Sequence, residues 1–195
     1  GPIPAAERIG LFLSLHGLNP NEHRRLRIGF SAGRFEFMAR PYGITPRNKL
    51  EEAMWPVLKR KIFEEAAIIF LKLLNGETLH GKDIPPTIIT QNDFEREKWE
   101  EIQKVSNIEN IKEISIPPRY DFEHISIIPR EWRQELLDLV IGTHDMELQR
   151  KINLIRPTKV FNLSITKPEV IESTHRLMQT HYNTSNGPWK RKHMP

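Results

Sequence analysis

The chain has 195 residues, of which 38% are hydrophobic and 28% are charged, a composition typical of a folded globular domain and not of a disordered segment. It contains no cysteine, which excludes disulfides, cysteine-ligated zinc and thiol nucleophiles and favours an intracellular location, cytoplasmic or nuclear. The longest largely apolar run, at 66–74, is too short to cross a bilayer, so no membrane partner is predicted.

The net charge of +4 is distributed unevenly along the chain. Residues 1–60 carry a net charge of +5, residues 61–150 a net charge of −7 and residues 151–195 a net charge of +6. Two basic ends around an acidic middle predict either a polyanion-binding surface built from both ends or self-association between unlike patches.

The chain opens on Gly-Pro without an initiator methionine, which we interpret as the remnant of a cleaved tag on a fragment of a longer polypeptide. We expect a single globular domain over residues 3–183. The last residues, 184–195, have no hydrophobic periodicity, so we expect a flexible basic tail there.

The N-terminal part predicts a helix over 5–17 and then a β-hairpin over 25–40. Apolar residues alternate with polar ones on both sides of a Ser-Ala-Gly turn, at Leu26, Ile28 and Phe30 and again at Phe35, Phe37 and Ala39. The same alternation places four arginines on the opposite face, namely Arg25, Arg27, Arg34 and Arg40.

The strongest helical pattern covers residues 45–75. Thr45 is the expected N-cap, Pro46 suits the first turn, and Gly76 follows the C-terminal end. Pro56 removes a backbone hydrogen bond inside this pattern, so we expect a kink or two abutting helices. The stripe of apolar side chains along it identifies the central core helix.

The remaining pattern is mostly helical. It predicts a polar helix over 92–106, extended segments over 112–116 and 122–128, two helices within 129–142 and 143–156, a strand over 159–166, and a further helix opened by a capping box at 166–169. The predicted fold is α+β and mainly helical, with a kinked central core helix, surrounding helices and a few short antiparallel strands.

Ten cations are candidates for contacting a nucleic-acid backbone, because such a site needs several positive charges together with planar groups that stack on bases. The cations are Arg24, Arg25, Arg27, Arg34, Arg40, Arg47, Lys49, Lys190, Arg191 and Lys192, and the stacking candidates are Tyr42, Trp55 and Trp189. The alternative is a solvated strand face with one Arg–Glu pair and an unstructured chain end.

No catalytic or metal-binding signature is present in the sequence. There is no HExxH motif and no glycine-rich phosphate loop, and His175 and His181 are six residues apart, which places them on different helix faces. Asp121, Glu123 and His124 resemble the acidic cluster of a metal-dependent nuclease, but the lysine that should accompany them is missing. We therefore predict no catalytic residue, no metal and no cofactor.

Three functional hypotheses follow, in order of preference. The first is a non-catalytic nucleic-acid-binding domain, with RNA favoured, in a nucleoprotein-like role (viral or cellular) or in ribonucleoprotein assembly. The second is a protein-interaction or scaffold domain that uses exposed tryptophans and the acidic helix at 92–106 to bind a partner or a second copy. The third is a metal-dependent nuclease.

Overall fold

The structure, a computed structural model, describes residues 1–32, 40, 43–108 and 110–194. Within these residues the helices are α1 (Pro2–His16), α2 (Lys49–Ala53), α3 (Trp55–Leu74), α4 (Arg96–Ser106), α5 (Met146–Ile155) and α6 (Pro168–His181). The strands are β1 (Leu26–Ser31), β2 (Leu79–His80), β3 (Thr87–Thr90), β4 (Glu113–Ile116), β5 (His124–Ile125), β6 (Leu137–Gly142) and β7 (Lys159–Val160). The predicted α+β, mainly helical fold is confirmed.

The chain divides into two compact units. The first comprises Gly1–Ala32, Ala66–Leu79 and Ile125–Pro195, and the second comprises Gly33–Glu65 and His80–His124. The long helix α3 contributes its beginning to the second unit and its end to the first. Across the described ranges, no helix combines the length and the apolar character that crossing a membrane requires.

A three-stranded parallel sheet organises the first unit. Strand β6 lies in the middle, with β1 on one side and β7 on the other. Every residue of β6 from Leu137 to Ile141 is buried. The helix predicted over 129–142 is therefore wrong, because a continuous apolar run suits a strand buried on both faces as well as it suits a buried helix.

Strand β1 confirms the extended conformation predicted for the residues that precede the Ser-Ala-Gly turn. Its burial alternates along the strand, so that Leu26, Ile28 and Phe30 are half-buried while Arg27 is exposed. Its partner among the described residues is β6, which runs parallel to it. The second arm of the hairpin falls on residues 33–39, which lie outside the described residues.

The predicted core helix is two abutting helices. Helix α2 ends before Met54 and α3 begins at Trp55, so that Pro56 lies in the first turn of α3, where its missing N–H needs no partner. The predicted Thr45 cap is wrong, because Asn48 caps α2 by accepting a hydrogen bond from the Glu51 N–H. At the other end Gly76, with a φ of 79°, terminates α3 as predicted.

The second unit has its own hydrophobic core. Strands β3 and β4 pair antiparallel there, and α4 packs its buried Trp99 and Ile102 against residues of α3 and of this pair. Helix α4 begins at Arg96 and not at 92, because residues 91–93 form a 3-10 turn. Val105 of the same helix is exposed.

Near the C-terminus the predicted elements are shorter than the pattern suggests. Strand β7 contains only Lys159 and Val160, and the apolar side chains that continue its alternation, Leu163 and Ile165, are exposed. Helix α6 is present, but Lys167 precedes it without a side-chain cap, so the predicted capping box is wrong.

Because β6 lies in the middle of the sheet, shortening its buried side chains should lower the free energy of unfolding substantially. Ile141→Ala should lower the free energy of unfolding by about 2–5 kcal/mol, because Ile141 is fully buried and its loss leaves a cavity. Ile165→Ala is the matched control; Ile165 is 72% exposed, and the change should cost about 0.5 kcal/mol or less. Urea unfolding followed by circular dichroism measures both, and equal losses would contradict the burial of Ile141 in the core.

Candidate nucleic-acid interface

A carboxylate held by two cations lies on the first unit's parallel sheet. Asp138 of β6 is opposite Arg27 of β1 in the strand register. The Arg27 Nε donates to Asp138 Oδ2 at 3.2 Å, and the Lys159 Nζ of β7 donates to the same oxygen at 2.6 Å. Asp138 is only 7% exposed, so one buried negative charge joins all three strands. Two cations to one carboxylate leave this part of the sheet positive.

The C-terminal segment reaches the same place. Burial, assisted by the negative charge of Asp138 and opposed by the positive charge of Arg25, raises the pKa of Tyr182 to about 12. The pKa of His193 is lowered, first by burial and then by the positive charge of Lys159, with smaller contributions from Lys192 and Lys190. Cations from both ends of the chain therefore act on one neighbourhood.

We call this group of residues the cationic face, and it consists of Arg25, Arg27, Asp138, Lys159, Lys190 and Lys192. It contains five cations and one carboxylate. Among the described residues, no ion pair joins Arg25, Lys190 or Lys192 to a carboxylate, although the charge of Arg25 acts on Glu135. The face brings together the two basic ends that the charge distribution of the sequence singles out.

Aromatic packing holds the tail in position. The Trp189 Nε1 donates to the Nδ1 of His175 on α6 at 2.9 Å. Its ring centroid lies 5.2 Å from that of Tyr182 and 5.5 Å from that of His193. The described part of the predicted flexible tail thus packs against α6, and Trp189, a predicted stacking residue, is half-buried among protein rings.

Other predicted cations are bound by nearby carboxylates. Arg24 binds Glu22 through two nitrogens, with the Nη2 at 2.6 Å from Oε2 and the Nε at 2.9 Å from Oε1. The Arg191 Nη2 lies 2.6 Å from Glu172 Oε1. Such a cation contributes less to a long-range positive field than an unpaired one, because its partner cancels most of its charge.

In the second unit, Arg47 is similarly engaged. Its Nε donates to the buried Glu51 carboxylate at 2.6 Å, and its Nη2 donates to the carbonyl oxygen of Pro117 at 3.2 Å. Arg40 and Lys49 are exposed. Trp55, a second stacking candidate, packs against the hydrophobic core of this unit.

Two predicted site residues, Arg34 and Tyr42, lie outside the described residues. Of the ten predicted cations, Arg25, Arg27, Lys190 and Lys192 belong to the cationic face. Arg24 and Arg191 belong to the same unit but are paired elsewhere, and Arg40, Arg47 and Lys49 belong to the second unit.

Sequence reasoning missed Asp138 and Lys159. Both positions belong to the parallel sheet, and the assignment of 129–142 to a helix hid the first of them. The available signal was a single aspartate within an otherwise apolar run, Leu-Leu-Asp-Leu-Val-Ile, because an isolated charge in a buried strand requires an ionic partner. That signal does not identify the partners, which come from two other strands, Arg27 lying 111 residues from Asp138 and Lys159 lying 21 residues from it.

Neither a metal cluster nor a similarity to a known protein assigns a function to this face. Among the residues with described positions, no three His, Asp or Glu side chains come close enough to hold a metal ion, the arrangement that the nuclease hypothesis requires. No family model, curated protein or solved structure matches the chain. The basis for a functional proposal is therefore the chemistry of the cationic face.

The Glu22–Arg24 pair predicts a defined acid sensitivity. Hydrogen bonds from the Arg24 side chain and then from its backbone N–H lower the pKa of Glu22 from 4.5 to about 2. A carboxylate with a depressed folded-state pKa stabilises the fold above pH 4.5, and this contribution is lost as the pH falls from 4.5 to about 2. Glu22→Gln should therefore flatten the dependence of stability on pH in that window.

Chemical denaturation at a series of pH values measures this effect. Glu7→Gln, at an exposed carboxylate of α1, is the matched control and should leave the slope as in the unmodified protein. Identical slopes for Glu22→Gln and the unmodified protein would show that the pair contributes nothing to stability.

Proposed function

We propose that this chain is a non-catalytic nucleic-acid-binding domain that contacts the phosphate backbone through its cationic face, with RNA as the favoured ligand. The observation that carries the proposal is that cations from both ends of the chain act on one neighbourhood: Arg27 binds Asp138, the charge of Arg25 acts on Tyr182, and those of Lys190 and Lys192 act on His193, while Asp138 acts on both rings. Backbone binding depends on several cations close together in space, and clustering of this kind is its electrostatic signature.

The residue types suit a phosphate ligand. Arginine presents a planar fork of donors that matches two phosphate oxygens, while lysine acts as a mobile point charge. Lys190 and Lys192 are exposed beside a packed aromatic cluster, so their side chains can follow a ligand while their backbone is positioned by Trp189. A single-stranded nucleic acid suits this surface better than a duplex. Among the described residues, no exposed helix forms part of the cationic face, so nothing there could enter a groove of a duplex.

The uneven charge of the chain suits a role in nucleoprotein or ribonucleoprotein assembly. An acidic middle segment, with a net charge of −7 over residues 61–150, disfavours wrapping of nucleic acid around the whole chain. We propose that this segment contacts the basic surface of a neighbouring protein when several copies assemble on one strand.

Charge reversal tests the proposal. Lys190→Glu with Lys192→Glu should weaken binding of a labelled single-stranded RNA roughly tenfold or more at low salt, and should reduce the slope of log affinity against log salt by about 1.4, since each phosphate contact contributes about 0.7 on single strands. Fluorescence anisotropy in a salt series measures both quantities.

The matched control is Lys82→Glu with Lys104→Glu, which makes the same change in net charge at two exposed lysines of the second unit. It should leave the salt slope nearly unchanged. Equal losses in both double variants would indicate a response to net charge alone, and the absence of binding by the unmodified protein at low salt would overturn the proposal.

A row of exposed apolar side chains on α1 favours the second candidate, a protein-interaction domain. Leu11 and Leu15 are 52% and 62% exposed and lie one helical turn apart, and Phe12, 50% exposed, is next to them. Exposed apolar patches on a helix often mark a protein interface. The tryptophans invoked in the sequence hypothesis are not exposed: Trp99 is buried, and the other three are half-buried.

Sedimentation velocity tests this second candidate. If the α1 row mediates self-association, the mass of the protein should rise with concentration, and Leu11→Lys with Leu15→Lys should make it monomeric without changing RNA affinity. Leu163→Lys, at another exposed leucine of the first unit, is the control. A concentration-independent monomer would remove self-association through α1.

A further inference from the structure

An exposed phenylalanine lies on the same side of the parallel sheet as the cations. Lys159 of β7 is opposite Val140 of β6, two residues after Asp138, so Lys159 and Asp138 share one face of the sheet. Directly after β7, the Phe161 N–H donates to the Ile141 carbonyl oxygen at 2.9 Å, which holds this residue beside β6. Because successive side chains of an extended chain alternate, Phe161 lies on the face of Lys159.

The sheet is open to solvent at this end of that face. Phe161 is 43% exposed, and Gly142 at the end of β6 is exposed as well. Along β1, the exposed positions of the same face are Arg27, Gly29 and Ser31. A Cβ added at Gly29 would meet only the Val140 carbonyl oxygen, at 4.0 Å, so no described side chain covers the strand there.

This surface suits a base of a single-stranded nucleic acid. Proteins hold single strands by combining cations for the backbone with aromatic side chains on which bases stack. The Arg27 side chain is 65% exposed, so it is accessible to a phosphate although its Nε binds Asp138. A glycine within a strand allows a ligand to approach the backbone closely, and Gly29 provides that opening between Arg27 and the end of the sheet.

The charge around the ring favours a polyanion over an apolar protein surface. The cationic face has five cations and one carboxylate, and Phe161 lies two residues after one of those cations, Lys159. The stacking residues predicted from the sequence do not provide a free ring here: Trp189 packs among protein rings, and Trp55 belongs to the second unit.

We propose that Phe161 stacks on a base of a bound single strand while Arg27 contacts its phosphates, so that the strand passes over Gly29. This inference rests on the proposed function and adds to it a base-stacking residue. The phosphate contacts make the affinity depend on salt, because they release counterions. Stacking on a neutral ring releases none, so its contribution should respond little to salt.

Removing the ring is the first test. Phe161→Ala should weaken binding of a labelled single-stranded RNA about tenfold at low salt, which lies within the range measured for stacking of one base on an aromatic side chain. The slope of log affinity against log salt should stay unchanged, because no charge is altered. Phe12→Ala is the matched control, since Phe12 is 50% exposed on α1 of the same unit; it should change neither quantity.

A strand without bases separates stacking from an effect on the fold. An abasic oligomer of equal length keeps the sugars and phosphates, so Phe161→Ala should bind it as tightly as the unmodified protein does. With 2-aminopurine bases in the strand, saturating unmodified protein should quench their fluorescence, and saturating Phe161→Ala should quench it less.

Covering the open surface is the second test. Gly29→Val places a side chain in open space, and β-branched residues favour strands, so the melting temperature should be unchanged or higher. RNA binding should nevertheless weaken by a factor similar to that of Phe161→Ala, because the added side chain occupies the path of the strand. If a thermal melt shows that Phe161→Ala is unfolded, Gly29→Val and Phe161→Leu decide the proposal.

The outcomes separate the two claims. If the unmodified protein binds no single strand at low salt, the proposed function itself is overturned. If it binds RNA, but Phe161→Ala and Gly29→Val bind as tightly as Phe12→Ala, stacking on this face is overturned while nucleic-acid binding stands. Stacking is also overturned if Phe161→Ala weakens binding of the abasic oligomer as much as binding of RNA. A loss of self-association in Phe161→Ala, measured by sedimentation velocity, would show that a second copy covers the ring instead of a base.

Discussion

The ion bridge at Asp138 is the interaction on which the rest of the first unit depends. Removing a carboxylate from water is unfavourable unless cations and hydrogen bonds compensate. Here the compensation comes from Arg27 on one flanking strand and Lys159 on the other, so the central strand is held to both neighbours by one charge. The same bridge fixes where positive charge lies on the sheet, and it therefore links the stability of the fold to its proposed function.

The distribution of ion pairs, more than the number of basic residues, defines the cationic face. Arg24, Arg47 and Arg191 are each bound by a carboxylate close to them in sequence or in the fold, and so contribute little to an extended field. Arg156 shows another solution: it is buried in the first unit, where its Nη1 donates to neutral oxygens of Gln134 and Asn75. Burial lowers the pKa of Arg156 to about 10, and this side chain contributes to the packing of the first unit.

Helical periodicity predicted the helices well, but for the strands only packing could decide. The amphipathic stripes identified α3, α5 and α6 because a helix with one buried face must repeat its apolar residues every three or four positions. Strand β6 has no such repeat, since both of its faces are covered, and its apolar run is equally compatible with a helix. The strand predicted at 159–166 failed for the opposite reason: its alternation is clear, but pairing with β6 extends only to Val160.

The sequence by itself determined the α+β composition, the break in the core helix near Pro56, the outward-facing Arg27 of β1 and the presence of two basic ends. These follow from local rules of backbone geometry and residue alternation. Only the tertiary structure decided that the basic ends meet, that Asp138 lies between Arg27 and Lys159, and which arginines are already paired. Contacts between strands more than a hundred residues apart depend on how the whole unit packs, and no local pattern along the chain encodes them.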